Sequence, residues 1–77
     1  MTRGFFNWTA EDVVRFLKDN GFILDHTRGS HWYYVGHHHN RVYIVTVPFH
    51  GTRAIKPRTL KGIITQSGIP KEQWLNR

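Results

Sequence analysis

Cysteine is absent from the 77 residues, so neither disulfides nor thiolate metal ligands hold this chain together and packing must do so. Acidic residues are scarce: five Asp and Glu stand against 11 Lys and Arg, a formal net charge of +6. No apolar run approaches the roughly 20 residues that span a membrane, and Met1-Thr2-Arg3-Gly4 lacks the apolar region of a signal peptide. The sequence therefore reads as cytoplasmic, with no membrane partner. Repeats, linkers and low-complexity segments are missing too, apart from a run of three histidines, so residues 1–77 read as one domain. A chain of this size buries only about 60% of the surface its unfolded form exposes. Its core is then a single contact between a sheet and helices, which excludes a large cleft for a nucleotide cofactor; no cofactor is expected.

Aromatic residues make up 14% of the chain, with three Trp, three Tyr and five Phe to supply large apolar faces. The positive charge speaks of partners rather than of fold and favours a polyanion, either nucleic acid or an acidic protein.

Phe5, Phe6 and Trp8 are too apolar for solvent and are expected to lie over the edge of the core. Thr9 fits an N-cap, with Glu11 and Asp12 in the first turn of a helix whose apolar stripe is Ala10, Val13, Val14 and Leu17. Asn20-Gly21 closes it. Phe22 to His26 alternates as a first strand, with Phe22, Leu24 and His26 on one side and Ile23 and Asp25 on the other. Thr27-Arg28-Gly29-Ser30 is its turn. The second strand runs from His31 to Val35, Gly36 to Asn40 form a hairpin loop, and Arg41 to Pro48 is a third strand rich in β-formers. Lys56-Pro57 starts a second helix with Leu60, Ile63, Ile64 and Ser67 on one face, and Ser67-Gly68 ends it. Pro70 opens a short helical turn from Lys71 to Leu75, whose Trp74 and Leu75 pack back on the body. The expected class is α+β, in the order αβββα, with a three-stranded antiparallel sheet covered by helices on one face.

The stretch Arg28-Gly29-Ser30-His31-Trp32-Tyr33-Tyr34 is the centre of the chain's chemistry, because a glycine turn delivers a histidine onto the start of an aromatic strand. Histidine titrates nearest neutrality of all side chains and is the natural general acid or base for a small domain. A hairpin between the second and third strands brings His31 and His50 to the same end of the sheet. Arg28, Arg53, Lys56, Arg58 and Lys61 supply cations nearby. Two proton carriers and a cation suffice to cleave RNA without a metal: one takes the 2′-OH proton, another protonates the leaving 5′-oxygen, and the cation stabilises the phosphorane. His31 is the candidate catalytic group, Ser30 and His50 its candidate support, and the five cations the candidate RNA contacts. The reading beside it is a histidine that only finishes a turn.

His37-His38-His39 point in different directions from a tight loop, with no carboxylate beside them to complete a tetrahedral set, so no metal is expected. The aromatic stretch offers bases a surface to stack on. By alternation, however, Trp32 and Tyr34 share one face and Tyr33 and Val35 the other, so one of these sets belongs to the core.

The ordered set Gly21-Phe22, Gly29-Ser30-His31, Val45-Thr46-Val47-Pro48, His50-Gly51, Ile55-Lys56-Pro57, Thr59-Leu60 and Gly68 resembles the HicA family of toxin ribonucleases, also grouped as YcfA-like proteins. The resemblance covers Val13 to Gly68. It implies a double-stranded-RNA-binding-like αβββα fold, an mRNA endonuclease that arrests translation, and an acidic HicB-type antitoxin as partner. It also implies that the histidine of the Gly-Ser-His motif, His31, is catalytic. Relatives often carry a second histidine directly after it, where this chain has Trp32. The histidine run and the aromatic lead-in are further departures, and a longer lead-in suits contact with a partner or a second copy. The alternative function is a non-catalytic RNA-binding module of the same fold. A duplex reader spans about 16 base pairs, a long footprint for so short a chain, so single-stranded mRNA is the expected substrate. The antitoxin is expected to mask His31 or the cations around it.

Overall fold

Thr9 opens the first helix through a reciprocal cap: its hydroxyl accepts the Asp12 N–H at 3.2 Å while the Asp12 carboxylate accepts the Thr9 N–H at 3.0 Å. The computed structural model describes residues 7–75. From this cap the chain runs through α1 (Ala10–Asp19), β1 (Ile23–Arg28), β2 (His31–His38), β3 (Arg41–Pro48), α2 (Pro57–Ser67) and α3 (Lys71–Leu75). The strands form one antiparallel sheet in the order β1-β2-β3, so the α+β arrangement αβββα holds.

Among the described residues the buried apolar side chains belong to one cluster on one face of that sheet. Val13, Phe16 and Leu17 of α1 and Leu60, Ile63 and Ile64 of α2 meet Tyr34, Val45 and Val47 there. Alternation along the strands leaves Tyr33, Val35 and Ile44 on the other face, which no helix among the described residues covers. Ser67, buried on the same face of α2, satisfies its hydroxyl locally by donating to the Ile64 carbonyl at 2.7 Å and accepting the Ile69 N–H at 3.1 Å.

Trp8, Phe16 and Trp74 close one side of the core. Phe16 and Trp74 have ring centroids 4.1 Å apart, and Trp8 lies 5.6 Å from Trp74 and 6.1 Å from Phe16. The α3 turn therefore packs back as expected. The Trp8 carbonyl accepts the Ile55 N–H at 2.7 Å, so the lead-in also anchors the segment after β3. Phe5 and Phe6 lie outside the described residues.

Three strand details differ from the sequence expectations. Strand β1 runs to Arg28, with Thr27 and Arg28 paired to Trp32 and His31, so the turn is Gly29-Ser30 alone. Strand β2 runs to His38, with Gly36, His37 and His38 paired to Tyr43, Val42 and Arg41. Only His39-Asn40 turn the chain, both at positive φ (51° and 64°), as a two-residue hairpin of the right-handed sheet twist requires. Finally, β1 carries a bulge: Leu24 pairs with Tyr34 and His26 with Tyr33, leaving Asp25 as the extra residue. His26 thus lies on the face opposite Leu24, not beside it.

Gly36 is a strand residue chosen for space rather than for a turn. A Cβ there would lie 2.7 Å from the Phe22 ring, which is buried against it. Gly36→Ala is expected to destabilise the fold by ~1–3 kcal/mol through overpacking. Thermal melts would then show a drop of about 4–8 °C per kcal/mol, and an unchanged melting temperature would mean that Phe22 gives way freely.

Candidate nucleic-acid interface

The Gly29-Ser30 turn places His31. Gly29 takes a positive φ of 59° while Ser30 does not, the two-residue hairpin arrangement with glycine first. Arg28 and His31 then face each other as the first cross-strand pair, and His31 pairs on its other side with Pro48. Arg28, His31 and Pro48 form a row at the end of the sheet, on the uncovered face that also carries Tyr33. Both Arg28 and His31 are exposed.

Ser30 contributes through its backbone. Its carbonyl accepts the Phe49 N–H at 2.7 Å and ties the turn to the segment that leaves β3. Two residues past Pro48, His50 begins a turn closed by an Arg53 N–H bond to the His50 carbonyl at 3.4 Å. His50 and His31 therefore do lie at the same end of the sheet.

A pocket of about 300 Å³ opens there, lined by Pro48, His50, Arg53, Ala54, Ile55, Lys56 and Thr59. Pro48 is a wall of this pocket and also the pairing partner of His31. The structure thus gathers His50, Arg53 and Lys56 into one cationic recess beside His31, with Arg28 at the far side of the row. Arg58 and Lys61 are exposed on α2 but take no part in the lining; Lys61 lies further along the helix, in a cleft with Ile64, Thr65 and Lys71. All five acidic residues of the chain fall outside residues 26–71, so no carboxylate stands within the segment that builds the recess.

Trp32 occupies the covered side. It pairs with Val47 and stacks on Phe49, with centroids 4.5 Å apart and an interplanar angle of 19°. It does not stand next to His31 on the uncovered face. Tyr34 is buried and its phenol is pushed above its ordinary titration range by that burial. Tyr34 therefore belongs to the core and the half-buried Trp32 packs against it, while Tyr33, also half-buried, faces the uncovered side. The histidine run is divided between faces: His37 is exposed, whereas His38 packs against Phe22 and Tyr43 at 5.4 and 6.0 Å. Among the described residues no three His, Asp or Glu side chains gather where they could share a metal ion.

Sequence reading missed His26. The ring stacks on Tyr33 at 4.3 Å and 8°, and its Nδ1 lies 2.7 Å from the Asp25 carboxylate. A carboxylate only accepts, so Nδ1–H donates and Nε2 faces away from the pair. Regular alternation puts His26 on the core side, and the bulge that reverses it leaves no signature in the residue types.

Among the described residues no helix is long and apolar enough to cross a membrane. No curated protein and no solved structure matches the chain. The family model of the HicA toxin of bacterial toxin-antitoxin systems matches residues 10–69, from the first residue of α1 to just beyond the end of α2. That span holds the whole sheet, the Gly29-Ser30-His31 turn and the cationic recess, and the chain belongs to the HicA toxin family, the toxin side of a toxin-antitoxin pair whose partner is an antitoxin.

Proposed function

We propose that this toxin is a metal-independent endoribonuclease that cleaves mRNA in the cytoplasm and so inhibits translation, with His31 carrying a proton in the reaction. The observation that carries this reading is the position of His31, solvent-exposed in the row Arg28–His31–Pro48 and next to the recess of His50, Arg53 and Lys56. The nucleophile comes from the substrate: the 2′-oxygen attacks phosphorus, the P–O5′ bond breaks, and a 2′,3′-cyclic phosphate and a 5′-hydroxyl result. The chain supplies proton transfer at His31 and positive charge for the phosphorane from Arg28 and the recess, where water is a poorer stabiliser than fixed cations. Ser30 holds His31 in place through its carbonyl bond, and His50 lines the recess that receives a neighbouring phosphate. Arg58 and Lys61 extend the positive surface along α2, a track suited to a single strand.

The acidic antitoxin is read as covering this same face. A segment of 46 positions without a carboxylate, from His26 to Lys71, offers an acidic protein and an RNA the same attraction, so the two compete.

Three outcomes test the proposal. The purified toxin is expected to cleave labelled single-stranded RNA in excess EDTA, and a folded His31→Ala variant to lose about 10²–10⁴-fold in rate; tight binding without cleavage would make it a non-catalytic RNA-binding module. RNA affinity is expected to fall with salt, and Arg53→Ala or Lys56→Ala should each flatten the log-log slope by about 0.7, the increment for one phosphate on a single strand. Added antitoxin should displace RNA, and a complex that leaves His31 and the recess open to solvent would remove the masking role.

A further inference from the structure

We propose that His26 is the second proton carrier of this toxin, the base that takes the 2′-OH proton, with Asp25 as its positioning residue. This rests on the ribonuclease reading and assigns the partner that His31 needs. A regular strand would turn His26 to the covered side together with Leu24; the bulge at Asp25 re-aims it onto the uncovered face. There His26 is paired with Tyr33, and His31 is two residues further along β2 on the same face. The two histidines are diagonal cross-strand neighbours, a relation that ordinarily sets residues about 7–8 Å apart with their Cβ atoms somewhat closer. That interval suits one phosphodiester with a hydrogen bond at each end.

The chemistry of the position favours a base. Tyr33 fixes the plane of the imidazole by stacking at 4.3 Å, and Asp25 takes the Nδ1–H at 2.7 Å, so the lone pair of the neutral ring lies on Nε2. When Nε2 accepts the 2′-OH proton, the carboxylate faces the imidazolium that forms. His26 and Asp25 remain 52% and 59% exposed in their side chains, open to a substrate laid on the sheet. The charged and titratable neighbours on this face are Asp25 and Arg28 from β1 and His31 and Tyr33 from β2; the adjoining positions of β3 are Thr46 and Pro48.

His50 is the other candidate for the second carrier. It lines the recess beyond Pro48, with Arg53 and Lys56 as its companions and no carboxylate to orient its ring. Its surroundings suit phosphate binding.

The atoms balance without a co-reactant. The 2′-O–H proton passes to His26 Nε2, the 2′-O–P bond forms, the P–O5′ bond breaks, and the protonated His31 gives its proton to the 5′-oxygen.

The test compares the parent with His26→Gln, Asp25→Asn, His31→Ala and His50→Gln in single-turnover cleavage of two RNAs. One is a natural single-stranded oligonucleotide. The other carries sulfur in place of the scissile 5′-oxygen, a leaving group that departs without being protonated. Melting curves check that each variant is folded, which exposed substitutions at His26 and Asp25 favour. On the natural RNA, His26→Gln should lose about 10²–10⁴-fold in rate, Asp25→Asn part of that in the rate at saturating toxin with the half-saturating toxin concentration kept, and His50→Gln should act mainly on that half-saturating concentration. On the sulfur substrate His31→Ala should recover and His26→Gln should not. Cleavage by His26→Gln at the parent rate overturns the proposal and leaves the ribonuclease reading standing. Recovery of His26→Gln in place of His31→Ala overturns the assignment of the base. A parent that cleaves neither RNA overturns both readings.

Discussion

The constraint on which the rest depends is that the described residues cover the sheet on one side only. Two helices and the short α3 turn all bury their apolar faces in the cluster around Tyr34, Val45 and Val47, and among the described residues none of these elements lies over the other face. The uncovered face is consequently a mixed surface. At the histidine-turn end Ile23 and Ile44 are 73% and 57% exposed, an apolar patch a partner can cover. At the opposite end stand Arg28, His31, His26 and Tyr33. Strand β2, paired along both edges, holds that end still, which is what a group that must meet a phosphate at hydrogen-bond distance requires.

Charge is segregated in the same way. Glu11 and Asp12 serve the first turn of α1, where the helix dipole and the Thr9 cap use them, and the Glu11–Arg15 pair at 3.1 Å is an exposed bridge of little energetic weight. Asp25 serves one histidine. From His26 to Lys71 the chain then keeps its cations without acidic neighbours in sequence, which opposes compactness through self-repulsion while it raises attraction for polyanions. The aromatic trio of Trp8, Phe16 and Trp74 adds core area that a chain without cysteine needs to offset that repulsion.

The helices were legible because their signals are local. The Thr9 cap, the Val13-Val14-Leu17 stripe, Pro57 at the start of α2 and Gly68 at its end act within a few residues of themselves, and each stands where its chemistry demands. The parity of Trp32 and Tyr34 was legible too, since the period of a strand is two. Strand ends were not. Gly36, His37 and His38 look like loop because glycine and histidine are weak strand formers, yet Gly36 is there to admit the Phe22 ring and His38 packs between Phe22 and Tyr43. The bulge was invisible for a deeper reason: it is a choice of register in which Tyr34 faces the core and Tyr33 the uncovered side, a fact of two strands rather than of one. That His31 and His50 share one end of the sheet could be found from the turn and the hairpin; the place of His26 could not.

A domain this small cannot build a deep cleft, and the chemistry assigned to it does not need one. RNA carries its own nucleophile next to the scissile bond, so the protein need not bind water, metal or a second substrate; it must hold proton carriers and cations at fixed places on a surface. The Ser30 carbonyl bond to Phe49 N–H does this for two of those places at once, since it ties the turn that presents His31 to the segment that forms the recess of His50, Arg53 and Lys56. An open sheet end with one such clamp is a sufficient scaffold for that reaction, and its openness is also its liability. A surface that any single strand can reach is not gated by any of the described residues, and under the proposed reading control comes from a protein that sits on it.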